Sequence, residues 1–128
     1  MATTADVLAR RQREREALLA LARGYVERLS LRLPVLAAAV VGSVARGDFN
    51  VWSDVDVVVV AEELPERTPD RAALLGADAP ARVQPVGFRP DEFDAALHKG
   101  NRLAQEALDA GFLLAGAGFF RQRSRSAS

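Results

Sequence analysis

The stretch Val55-Asp56-Val57-Val58-Val59-Val60 holds five valines and one aspartate. β-Branched side chains are stiff at χ1 and favour an extended backbone, so the run reads as a strand. Its apolar residues do not alternate with polar ones. Both faces therefore need cover, as in an interior strand of a sheet with helices on each side. A second short run, Val35 to Val41, is rich in Val and Ala and bounded by Pro34 and Gly42. It reads as another buried strand. With about a dozen residues between them, the two runs can pair in one mixed sheet.

The rest of the chain divides at its caps and breakers. Thr4 is the expected N-cap of a long first helix with Asp6 in its first turn. Apolar residues from Val7 and Leu8 to Val26 and Leu29 recur near the helical period, and Pro34 stops the helix. Within it, Arg10 to Glu16 reads as a solvated, ion-paired stretch. Gly42 to Ser53 is a turn with room for one helical turn. Residues 69–77 fit a short helix. Arg82 to Phe88 is a third strand, with Pro85 placing it at an edge. Pro90 to Lys99 is a helix that starts on proline and acidic residues, and Asn101 caps another that ends near Gly111. Phe112 to Phe120 is either a last strand or a packing segment. The expected architecture is α/β (of the α+β kind), with a mixed sheet of three to four strands flanked by helices. One domain spans residues 1–120, and residues 121–128 form a disordered basic tail.

Composition removes whole classes of function. Lys plus Arg total 17 and Asp plus Glu total 17, so no global field favours nucleic acid. With no cysteine, disulfide scaffolds, thiolate catalysis and cysteine-based zinc sites are excluded. The polar, basic N-terminal residues do not resemble a signal peptide, and no apolar run approaches the roughly 20 residues that cross a bilayer. A cytoplasmic setting without membrane attachment is the expectation.

The chemistry lies between Val41 and Asp56. Gly42 leaves a buried strand and, lacking a Cβ, allows a ligand close to the backbone. Ser43 adds a hydroxyl, and the N–H groups that follow can face an anion if a helical turn begins there. Asp54 and Asp56 alternate on a strand and so share a face, roughly 7 Å apart by Cα. Two carboxylates beside a valine-rich core repel and raise each other's pKa. A divalent cation removes that penalty, and magnesium takes one or two carboxylates with phosphate oxygens and water. If the strands are neighbours, phosphate donors and metal ligands meet in one cleft suited to in-line displacement at phosphorus. The plainer alternative is that both carboxylates are solvated at a strand mouth or paired with Arg46.

Gly42-Ser43, ten intervening residues containing Ala45-Arg46-Gly47, and then Asp54-Val55-Asp56 resemble the minimal nucleotidyltransferase domains of the DNA polymerase beta superfamily. The resemblance is close over Val40 to Val60 and looser beyond. It implies a nucleotidyltransferase fold, Mg²⁺ at Asp54 and Asp56, and an ATP-type donor whose phosphates lie on Gly42 and Ser43. Similar small domains form the nucleotidyltransferase half of toxin–antitoxin modules, where they partner an all-helical HEPN ribonuclease and can modify it with AMP. Active members carry a third acidic residue on the next strand. Counting back from Pro90-Asp91-Glu92-Phe93 puts Gln84 there, and glutamine is neither a general base nor a strong metal ligand.

Other residues are open to two readings. Arg46 steadies donor phosphates or braces the loop through Asp48. Ser53 caps the approach to Asp54 or touches a metal-bound water. Trp52 covers the core or an interface, or stacks on a base. His98 reads as a favourable charge at a helix end. Arg121, Arg123 and Arg125 are solvated or meet an acidic partner. The first helix and the apolar C-terminal segment are candidate surfaces for association, including homo-oligomers. The sequence thus supports a nucleotidyltransferase transferring AMP or another nucleotidyl group to a hydroxyl. The rival is a weak or inactive antitoxin-like module for a HEPN-type partner, with a nucleotide sensor third.

Overall fold

The valine run forms a strand with the expected bounds, β2 (Val55–Val60), and all its valines are fully buried. In the computed structural model, which describes residues 3–127, it is an interior strand. Met1, Ala2 and Ser128, the outermost residues of the expected domain and tail, lie outside that range. Antiparallel to β2 runs β1 (Ala37–Val41), pairing Ala37 with Val60 and Val41 with Asp56. On the other side β3 (Val83–Phe88) runs parallel and sets Gln84 level with Asp56. β4 (Phe112–Ala115) pairs antiparallel with β1, giving a mixed sheet in the order β3-β2-β1-β4. Pro85 lies on an edge strand as expected, where a missing N–H is tolerated.

Alternation along the strands divides the core in two. Val55, Val57 and Val59, with Ala38 and Val40, meet Leu18, Leu19, Ala22, Tyr25, Val26 and Leu29 of α1 (Thr4–Ser30). Val58 and Val60, with Ala37, Ala39 and Val41, pack on the other face. There they meet Phe93 of α4 (Pro90–His98), Ala104 and Ala107 of α5 (Arg102–Asp109), and Phe120 of α6 (Ala117–Ala127). After Val41 the chain enters the short α2 (Gly42–Arg46), and α3 (Thr68–Gly76) lies in the crossover between the parallel strands β2 and β3. Asp56 falls on the α5 side because the two-residue period leaves Val55 and Val57 to the α1 side, and Asp54 immediately precedes the strand.

Several boundaries differ from expectation. Thr3, not Thr4, caps α1, because a reciprocal capping box needs Asp6 three residues on. The Thr3 hydroxyl accepts the Asp6 N–H at 3.1 Å, and the Asp6 carboxylate accepts the Thr3 N–H at 3.1 Å. Strand β1 begins two residues after Val35. Residues 112–120 divide into β4 and the start of α6. The expected tail from Arg121 continues that helix, anchored by Phe119 and Phe120 around Phe93 and by Arg123, which pairs with Asp94 at 2.6 Å. The side chain of Arg125 lies outside the described residues. Among the described residues, no helix is long and apolar enough to cross a membrane.

One buried hydrogen bond ties α1 to the crossover. The fully buried Tyr25 hydroxyl donates to the Leu75 carbonyl at 2.7 Å. Burial pushes its phenol up to about 12, aided by the Asp78 charge, so it stays a neutral donor. Tyr25→Phe leaves that carbonyl unpaired and is expected to lower stability by about 1–2 kcal/mol. The check is a lower urea midpoint with an unchanged m-value.

Candidate active site

The antiparallel register of β1 and β2 builds the site. Because Val41 faces Asp56, the next residue, Gly42, lies against the Asp56 side chain. A Cβ on Gly42 would stand 2.6 Å from Asp56 Oδ2, and Gly42 has φ +75°, a region L-residues rarely adopt. Two independent constraints therefore demand glycine at this position. The half-buried Ser43 follows in the first turn of α2, which ends where Gly47 (φ 89°) donates its N–H to the Ser43 carbonyl at 2.8 Å.

The segment between α2 and β2 closes on itself. Asn50 Oδ1 accepts the Trp52 N–H at 2.8 Å, and Ser53 Oγ accepts the Asn50 N–H at 2.9 Å. Ser53 thus shapes the approach to Asp54, while the Arg82 guanidinium donates to the Ser53 carbonyl. Trp52 is 88 % exposed two residues before Asp54. The core-covering role is therefore corrected, because the turn points the indole away from the sheet.

Asp54 is exposed and Asp56 half-buried, and neither accepts a hydrogen bond among the described residues. The Asp56 carboxyl is pushed above its ordinary range. Burial is the main cause, then the negative charges of Asp54 and Glu106, with Arg102 and Arg46 opposing. Among the described residues no group of three or more acidic, histidine or cysteine side chains is arranged to hold a metal. The acidic pair stands as two carboxylates, and the neutral Gln84 is the residue beside Asp56 on β3.

Arg46 braces the loop, as one of its readings had it. Its guanidinium reaches Asp48 at 3.3 Å and Glu106 at 3.1 Å. Glu106 went unnoticed in the sequence, where it appears only as the partner of Arg102 four residues earlier on α5. Its carboxylate also accepts the Gly42 N–H at 2.8 Å. The expected ion pairing in the first helix is also overturned. Within Arg10 to Glu16 no ion pair forms among the described residues. Arg15 instead donates to the carbonyls of Val44 (2.9 Å) and Ala45 (3.1 Å), and Arg11 to those of Gly47 (3.1 Å) and Phe49 (2.7 Å). These are carbonyls that a short helix and its exit leave unpaired.

A profile described as "Nucleotidyltransferase domain" matches residues 22–107, a span that contains both strands, Gly42-Ser43 and the two aspartates. The chain belongs to this nucleotidyltransferase domain family, whose general chemistry is nucleotidyl transfer. The crystal structure of a "putative nucleotidyltransferase" from Sulfolobus solfataricus superposes with a TM-score of 0.62 at 23 % identity, over 80 % of this chain and 84 % of that one. This likeness concerns the fold. No curated protein matches the chain.

Gly42→Ala is expected to destabilise by about 1–3 kcal/mol through backbone strain, with an added penalty from Asp56 that Asp56→Ala in the same chain relieves; a double-mutant cycle in urea measures both. The raised Asp56 pKa has a further consequence. The folded state holds this proton more tightly than the unfolded chain does, so its contribution favours folding at low pH. That contribution is lost as pH rises from the ordinary value of 3.8 through the raised one. Asp56→Asn is therefore expected to raise Tm at pH 7 without added metal. Thermal melts across pH should show the gain shrinking toward pH 4.

Proposed function

We propose that this domain transfers a nucleotidyl group, AMP by preference, from a magnesium-bound nucleoside triphosphate to a hydroxyl of a partner protein or small molecule. The observation that carries the reading is the convergence of Gly42 and the Asp54–Asp56 pair at the joined ends of β1 and β2. The donor set suits magnesium: two hard carboxylates at the start of β2, close enough that the Asp54 charge acts on the half-buried Asp56, with no cation bonded to either among the described residues. Bound there, the ion would neutralise charge on the triphosphate and on the oxygens entering and leaving phosphorus.

The chain's own groups supply the rest. Gly42 admits the donor's phosphates close to the backbone, Ser43 offers a hydroxyl, and Arg46 a positive charge. Ser53 and Arg82 fix the turn that delivers Asp54. The acceptor oxygen forms the new bond to the α-phosphorus as the α–β bridging bond breaks and pyrophosphate leaves. With Gln84 beside Asp56, the acceptor's proton passes to water. General-base help contributes about 10²–10⁴-fold where it is present, so transfer here is slow.

Gln84 also favours a second reading: an antitoxin-like module that binds nucleotide and a HEPN-type helical partner with little turnover. The two separate in one experiment, incubation with Mg²⁺ and each α-³²P-labelled nucleoside triphosphate, with and without the product of the adjacent gene. Transfer is expected to be strongest with ATP and to fall by about 10²-fold or more in Asp54→Asn and Asp56→Asn, the scale of losing a residue that stabilises transition-state charge. Gln84→Glu is expected to raise it. Stable complex formation without label transfer supports the module. No transfer, no nucleotide binding and no complex sinks both.

A further inference from the structure

The groups assigned to the donor's phosphates already hold an anion. Glu106 Oε2 accepts the Gly42 N–H at 2.8 Å, and Glu106 Oε1 takes Arg46 Nη1 at 3.1 Å and Arg102 Nε at 3.2 Å. The Glu106 side chain is 20 % exposed, and two of its three partners are ones a triphosphate would use. Carboxylate and phosphate oxygens compete for the same N–H and guanidinium donors.

We propose that Glu106 sets the affinity of the site for its nucleotide, by occupying Gly42 N–H and Arg46 until the triphosphate displaces it. The inference rests on the phosphate-binding role given to Gly42 and Arg46 above. Displacement does not strand a charge, because Arg102 lies one turn earlier on α5 and keeps the carboxylate paired as it swings out. The exchange also moves a negative charge away from Asp54 and Asp56 as a negatively charged ligand arrives. A closed form favoured about ten to one weakens nucleotide binding about tenfold.

The sign of the effect separates this role from a brace. If Glu106 only propped the Gly42 turn, its removal would weaken binding. Isothermal titration with Mg²⁺–ATP, and with Mg²⁺–tripolyphosphate as a probe without base or sugar, is run on the parent, Glu106→Gln and Glu106→Ala, each checked for folding by circular dichroism. Both variants are expected to bind both probes more tightly, Glu106→Ala by about tenfold. The gain should shrink when Arg46→Ala is added. Glu106→Gln keeps the shape of the side chain and carries the test should the alanine variant fail to fold. Equal or weaker binding in the folded variants, with the parent binding normally, overturns the proposal and leaves the nucleotide site standing. Absence of binding to all three proteins overturns the phosphate role of Gly42 and Arg46, and this proposal with it.

Discussion

The contact between Gly42 and the Asp56 carboxylate is the constraint from which the site follows. It exists because β1 and β2 are antiparallel neighbours in a register that sets Val41 opposite Asp56. A shift of one residue would turn Asp56 toward α1 and the apolar core. The register is held by the valines and alanines that fill both faces of the two strands. An apolar sheet thus specifies the position of two charged groups at its end, and glycine is the residue that fits between them and the turn.

Around this point charge is arranged locally while the chain as a whole is neutral. Arg11 and Arg15 satisfy the carbonyls of α2 and the residues after it, and Arg82 holds the carbonyl of Ser53. Arg46 and Arg102 hold Glu106. The arginines bond to acceptors on the loop, and among the described residues neither Asp54 nor Asp56 accepts a hydrogen bond or forms an ion pair. The pair is electrostatically unfavourable in the isolated chain, as expected where function rather than stability fixes the side chain.

Much of this was legible in the sequence where a local rule sufficed. The valine run could be placed in the sheet because continuous β-branched residues have few other solutions, and Pro85 marked the edge because it lacks an N–H. Spacing allows Gly42-Ser43 and Asp54-Val55-Asp56 to adjoin if their strands are neighbours, and the antiparallel pairing of β1 and β2 meets that condition. What escaped depended on contacts distant in sequence. Glu106 reaches Gly42 across 64 residues and Arg15 reaches Val44 across 29, and no periodicity announces either. Polar composition suggested a loose end after Arg121, where Phe119, Phe120 and the Arg123–Asp94 pair instead support a helix. Trp52 was judged by its usual preference for burial, which the turn around Asn50 overrides.

In the proposed function Asp54 and Asp56 together hold the divalent ion of a bound nucleoside triphosphate over Gly42. Diffraction from crystals grown with Mn²⁺ and a non-hydrolysable ATP analogue tests it directly, because manganese scatters anomalously and takes the same hard oxygen ligands as magnesium. The proposed function requires one anomalous peak bonded to both carboxylates, with phosphate oxygens against the Gly42 N–H and Glu106 swung aside. A peak bonded to neither aspartate, or a triphosphate seated away from the Gly42 turn, would contradict it.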